Sequence, residues 1–353
     1  MDKIGKIRKA FMNFDIDGML ITSPYNRRYT TNFTGTAGAA LITHDAAYFI
    51  TDFRYTEQAE AQAHGFEVIR YGKSLIKEIA DQAKQHNIEK LGFEQDHVTF
   101  SEWLKYKEEV QAELIPVSGL IEELRMVKTE NEVALLKEAA DIADAAFKHI
   151  LDYLKPGAAE IEIANELEFF MRKCGATSSS FDIIVASGWR SALPHGVASD
   201  KKIEHGDFVT LDYGALHKGY VSDITRTVSV GKPSSQLQEI YHIVLEAQMK
   251  AVEEIGPGMT GVEADAIARD LITERGYGQY FGHSLGHGIG LEVHEGPGLS
   301  PRSDEKLVPG MLVTVEPGIY LPKIGGVRIE DDILITETGN ERLTHSTKEL
   351  LIL

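Results

Sequence analysis

Three histidines, His283, His287 and His294, fall within twelve residues, and six glycines stand among them in residues 281–298. Imidazole is the commonest metal ligand and the side chain that titrates near neutral pH. Glycines at this density let a backbone approach a bound group closely and take angles that other residues avoid. A zinc-type helical pair at His283 and His287 is disfavoured, because Gly282, Gly286, Gly288 and Gly290 would each cost about 1 kcal/mol in a helix interior. The stretch therefore reads as extended or looped. One histidine in such a turn would be incidental, whereas three mark a site.

The acids that could join these histidines lie on apolar strands. In residues 208–213, period-two alternation puts Val209 and Leu211 on one face and Thr210 and Asp212 on the other. Residues 221–228 put Asp223, Thr225 and Thr227 on one face, and the connecting residues 214–219 predict a hairpin in which Asp212 faces Asp223. Residues 206–214 are echoed by residues 310–318, with Glu316 in the place of Asp212, and residues 326–330 supply Glu330 as the counterpart of Asp223. Four carboxylates would then converge from two related hairpins. Like charges that close cannot all stay ionised without cations, and His287 offers a fifth ligand. Such a hard, oxygen-rich set suits Mn²⁺ first, with Co²⁺, Zn²⁺ or Fe²⁺ as alternatives. It fits two divalent metal ions better than one, as in aminopeptidases that use paired cations to activate water and polarise a carbonyl. Any one of these acids alone would read as salt-bridged or solvated; their recurrence in both halves argues otherwise. His195, in Pro194-His195-Gly196, and His294 are suited to bind a carbonyl oxygen or to shuttle a proton, although each alone would read as a loop histidine. Arg328 shares a strand face with Glu330 and reads either as a partner of the ligands or as a substrate contact.

The elements around these residues are duplicated. Pro156-Gly157, Glu162 and Gly175 recur as Pro257-Gly258, Glu263 and Gly276, an offset of 257 − 156 = 101. Each copy runs helix, helix, strand with an acid and second strand with an acid, which predicts an α+β domain with internal pseudo-twofold symmetry. Ahead of it, residues 4–118 alternate short apolar runs with helical patterns. Strands are expected at 18–22, 66–71, 90–94 and 113–117, a hairpin at 39–51, and helices at 54–64, 75–87 and 101–110. This smaller α/β domain has neither a glycine-rich phosphate loop nor convergent acids. It is assigned to scaffolding, substrate gating or dimerisation; Tyr25, Asp52 and Arg54 read as structural. Thr129-Glu130-Asn131-Glu132 is a capping box, which puts the boundary near residues 118–128 and divides residues 1–125 from 126–353.

Composition narrows the class. A chain of 353 residues exceeds the size at which one core keeps growing, so two domains are expected. A formal charge of −18 argues against nucleic-acid and anionic-membrane partners, which bind through basic patches. The first residues lead into an amphipathic helix without a signal-peptide core, and no run is long enough to span a membrane. Cys174 is the single cysteine and can form no internal disulfide, so a cytoplasmic protein is expected and Cys174 reads as structural.

Taken together, Pro194-His195-Gly196, Asp212, Asp223, the run 282–288, His294-Glu295, Val315-Glu316-Pro317-Gly318 and residues 326–331 resemble the Xaa-Pro peptidases, prolidase and aminopeptidase P, along essentially the whole chain. The resemblance implies a pita-bread catalytic domain behind a creatinase/prolidase-like N-terminal domain, with Asp212, Asp223, His287, Glu316 and Glu330 as dinuclear metal ligands. It implies substrate-binding and proton-transfer roles for His195, His283, His294 and Arg328, a Mn²⁺ or Co²⁺ requirement, short proline-containing peptides as substrate, and a homodimer. Xaa-Pro dipeptide hydrolysis is the expected activity. The alternatives are an Xaa-Pro aminopeptidase acting on longer peptides and a non-catalytic pita-bread binding module. Creatinase-like proteins share the fold without the metal, and methionine aminopeptidase shares the ligands without such an N-terminal domain. Arg302, fourteen residues before Glu316, resembles the arginine that holds the proline carboxylate in some prolidases; the other reading is a solvated loop arginine.

Overall fold

The computed structural model describes residues 2–353, which form two compact units divided after Arg125. The first is built on a six-stranded sheet in the order Glu67–Arg70, Ala47–Thr51, Ala39–Thr43, Gly18–Ile21, Lys90–Glu94 and Glu113–Val117. Its pairings of 47–51 with 39–43 and of 39–43 with 18–21 are antiparallel, and the other three are parallel. The helix Pro24–Thr31 has no counterpart in the sequence reading. Proline at its start was a legible signal, but its buried residues are Asn26, Arg27, Thr30 and Thr31 with Tyr29 as the one large hydrophobic, so no apolar period announces it. Asp52 and Arg54 pair with each other at 2.8 Å.

In the second unit, the repeated residues turn out to be helix-boundary chemistry. Glu162 and Glu263 each accept the N–H of the residue before their helix, from Ala159 at 2.7 Å and from Thr260 at 2.8 Å. The helices Glu160–Lys173 and Gly261–Glu274 end ahead of Gly175 and Gly276, whose φ angles of +106° and +85° close them in the region that glycine favours. Each half packs a helix pair on its own strands. Val209, Leu211 and Tyr213 face the core of Glu130–Ile150 and Glu160–Lys173, and Val313 and Val315 face that of Ser235–Glu254 and Gly261–Glu274. Alternation therefore turns Thr210, Asp212, Thr314 and Glu316 away from the two cores.

One register differs from expectation. Strands Asp207–Tyr213 and Ile224–Val230 do pair antiparallel, but Asp212 lies opposite Thr225 rather than Asp223. The connection forms its own small hairpin, pairing Leu216 with Val221 and His217 with Tyr220. Lys218 and Gly219, at φ +47° and +87°, make its turn. Asp223 sits just before its strand, and Glu330 just after strand Gly325–Arg328.

Candidate metal centre and cavity

His287 occupies the middle of the strand Gly286–Gly288, held between Glu295–Leu299 and Leu312–Val315. The approach is so close that a Cβ at Gly286 would stand 1.9 Å from the Thr314 carbonyl oxygen, and one at Gly288 2.0 Å from that of Gly296. The glycines beside His287 are thus required by packing. His287 N–H donates to Thr314 Oγ1 at 3.1 Å, and its Nδ1 donates to the Gly288 carbonyl at 3.0 Å. That assignment leaves Nε2 as a ligand atom. It faces Glu316 Oε1 at 3.3 Å and Asp223 Oδ2 at 3.9 Å.

Asp223, His287 and Glu330 offer ligand atoms that all lie within 4.8 Å of one another. Thr225 Oγ1 donates to Glu330 Oε2 at 2.6 Å, and Asp332 Oδ2 accepts the Asp223 N–H at 3.1 Å. Asp212 is placed differently, with its Oδ2 accepting from Arg328 Nη2. Arg328 also donates from Nη1 to the Tyr320 hydroxyl at 2.7 Å and from Nε to Thr225 Oγ1 at 3.1 Å. His283 Nδ1 donates to the Ser284 carbonyl at 2.8 Å, so its Nε2 accepts from the Tyr320 hydroxyl at 2.9 Å.

Burial dominates the electrostatics. It raises the carboxyls of Asp212, Asp223 and Glu330, and neighbouring negative charges add to it; Asp223 and Glu330 lie well above their ordinary range. Burial likewise pushes Asp332 up to about 8 and Tyr320 to about 12. At Glu316 burial is outweighed by the hydrogen bond and charge of His287, and the carboxyl falls; His287 rises for the reciprocal reason. His283 and His294 are lowered, chiefly by burial, and His294 also by the charge of His287. Arg328 is held charged against burial by Tyr320, Asp212 and Glu316.

This donor set fits divalent cations. Asp212, Asp223, Glu316 and Glu330 line one cavity with Arg328 as its single guanidinium, and the Asp223 Oδ1 atom is buried without a hydrogen-bond partner. Cations would neutralise the charge excess and complete that oxygen.

The cluster lines a cavity of about 460 Å³, shared by Asp212, Asp223, His287, Glu316 and Glu330 with His195, His283, His294 and Arg328. The rings of His287 and His294 meet edge to face at 4.4 Å. Phe181, Ile184, Pro194, Val197 and Val293 supply an apolar wall. Arg302 is exposed and is not part of the lining, and exposed Cys174 is likewise outside it. Sequence reasoning missed Tyr320, Thr314 and Asp332 as partners of the cluster. Only Asp332, an acid two residues beyond Glu330, carried a signal that could have found it.

Residues 134–337 match the model of metallopeptidase family M24, and residues 3–127 that of the creatinase/prolidase N-terminal domain. A solved Xaa-Pro dipeptidase from Bacillus anthracis is 64% identical with a TM-score of 0.99, and the match covers 99% of each chain. The Xaa-Pro dipeptidase of Pyrococcus horikoshii is 44% identical over 99% of each chain. An X-Pro aminopeptidase structure from Thermotoga maritima is 41% identical with a TM-score of 0.92, covering 98% of this chain and all of that one.

Proposed function

This chain belongs to metallopeptidase family M24, and on that footing we propose that it is an Xaa-Pro dipeptidase whose Asp212, Asp223, His287, Glu316 and Glu330 hold two divalent metal ions. The observation that carries the reading is the gathering of these five side chains in one cavity beside an apolar wall. Full-length likeness to proteins named Xaa-Pro dipeptidase supports the substrate class. Mn²⁺ is the proposed metal, with Co²⁺, Zn²⁺ or Fe²⁺ as alternatives. The proposed setting is a cytoplasmic homodimer.

Bound there, the cations supply polarisation of the scissile carbonyl and a water acidified toward neutral pH. The chain's own groups do the rest. His294, exposed at the cavity and with its pKa lowered chiefly by the burial of part of its ring, takes a proton from the attacking water and gives it to the departing proline nitrogen, which carries no hydrogen of its own in the amide. His195, also exposed, faces the substrate from the opposite half of the domain. His283 presents a neutral ring whose Nε2 is occupied by Tyr320, which suits it to packing and orientation. Arg328 is 3% exposed, with its donors directed at Asp212, Tyr320 and Thr225, so its role is to hold those groups rather than to bind substrate.

The second reading, an Xaa-Pro aminopeptidase for longer peptides, is favoured by the position of Arg302. A dipeptidase needs a cation for the free carboxylate of proline, and Arg302 is not on the cavity wall. Proline release from Xaa-Pro dipeptides, compared with cleavage of Xaa-Pro-Yaa tripeptides, tests both readings in Mn²⁺ and in chelator. Faster cleavage of tripeptides would favour the aminopeptidase. Chelator-resistant cleavage, or none with any of Mn²⁺, Co²⁺, Zn²⁺ and Fe²⁺, would overturn both.

A further inference from the structure

The segment that brings His195 to the cavity leaves the strand Ile184–Ser187 and rejoins regular structure at Asp207–Tyr213. Beyond the short turn Gly188–Ala192 it has little repetitive structure of its own. Such loops are ordinarily the mobile part of a fold. This one is tied at two points, on either side of His195, to a single carboxylate.

Glu160, the first residue of the helix Glu160–Lys173, is fully buried. Its Oε1 accepts from the Ser187 N–H at 2.7 Å and the Ser187 hydroxyl at 2.8 Å. Its Oε2 accepts from the Arg190 guanidinium, from the Ser199 N–H at 3.2 Å and from the Ser199 hydroxyl at 2.7 Å. Arg190 carries the restraint toward the tip, donating from Nη2 to the Val197 carbonyl at 2.9 Å. One side chain thus closes the neck of the loop and, through Arg190, braces the residues around His195.

The other half of the domain reaches the same result with different residues. Asp265, also buried, accepts the Leu285 N–H at 2.9 Å and pairs with Arg269. Arg269 donates to the carbonyls of Phe281 at 3.0 Å and His283 at 2.7 Å. In each half a buried acid on the second helix, paired with an arginine, fixes the segment that presents a histidine to the cavity.

We propose that Glu160 is a positioning residue for His195, setting through Ser187, Arg190 and Ser199 where that imidazole meets the substrate. The proposal rests on the Xaa-Pro hydrolysis reading, in which His195 faces the substrate. All the groups around the two oxygens are donors, and three of them, the Ser187 N–H, the Ser199 N–H and the guanidinium, cannot accept. An amide at this position would therefore turn an NH₂ against a donor in either orientation.

The test is a double-mutant cycle in the Mn²⁺-loaded full chain. Glu160→Gln should lower kcat/KM for an Xaa-Pro dipeptide by about 10- to 100-fold, the scale of a misplaced contact, with metal content unchanged. In a His195→Ala background the same substitution should change kcat/KM by less than about twofold. Amide hydrogen exchange should quicken within residues 188–198 and not in the strand Ile224–Val230. Equal losses in both backgrounds, or no loss in either, would overturn the proposal, since a merely structural role does not depend on His195. If Glu160→Gln does not fold, Arg190→Gln, which removes the guanidinium from Glu160 and the brace to Val197 but leaves the Ser187 and Ser199 bonds in place, enters the same cycle with the same expected outcomes. If the wild type releases no proline, the hydrolysis reading fails by itself and hydrogen exchange decides: an unchanged loop overturns the anchoring, and a loop that loosens alone upholds it.

Discussion

Arg328 is bonded to Asp212 inside the metal-fitting cluster, and the two side chains are 4% and 12% exposed. A buried pair that loses one member leaves an uncompensated charge, typically at about 3–5 kcal/mol. Arg328→Met should therefore lose stability of that order in chelator, by urea denaturation. Mn²⁺ should restore part of it by neutralising the orphaned carboxylate. Unchanged metal-free stability would mean that the pair does not form.

The metal reading has a readout independent of turnover. A cation that binds only the folded state stabilises by about 2.7 kcal/mol at a hundredfold excess over Kd. Mn²⁺ should raise the Tm of the wild type and have little effect on Asp223→Asn, whose Oδ1 atom has no other partner. Chelation or Asp212→Asn should abolish peptidase activity, and Mn²⁺ or Co²⁺ should rescue only the chelated wild type. A full thermal shift in Asp223→Asn would remove that residue from the ligand set.

His294 separates proton transfer from metal binding. His294→Ala should lower kcat by about 10²–10⁴-fold while metal content, measured by elemental analysis, stays near that of the wild type. Loss of metal instead would make His294 a ligand.

Gly288 tests why glycines flank His287. A methyl group there would stand 2.0 Å from the Gly296 carbonyl oxygen, and overpacking of this kind costs about 1–3 kcal/mol or more. Gly288→Ala should lower both folding stability and Mn²⁺ affinity, because the same strand carries His287. An alanine variant as stable and as tight-binding as the wild type would contradict the close approach.

Much of this protein was legible without coordinates, because the signals were local. Helix caps recurring at a fixed offset announced the duplicated α+β architecture, since Glu162 and Glu263 bond to backbone N–H groups three residues away. Acids on apolar strands and histidines among glycines drew attention to Asp212, Asp223, His287, Glu316 and Glu330, because side-chain period and glycine density are properties of a few consecutive residues. Pairing across the sheets lay beyond that reach. Thr225 meets Glu330 and Arg328 meets Asp212 across more than a hundred residues, and no local pattern specifies which strands will be neighbours. The Lys218-Gly219 turn moved Asp223 out of register with Asp212, the buried polar face of Pro24–Thr31 hid a helix, and Arg302 went to the surface. Residue types and their spacing determined the kind of chemistry this chain could perform. Long-range hydrogen bonds, available only once the two halves had packed, decided which groups hold the reactive ones in place.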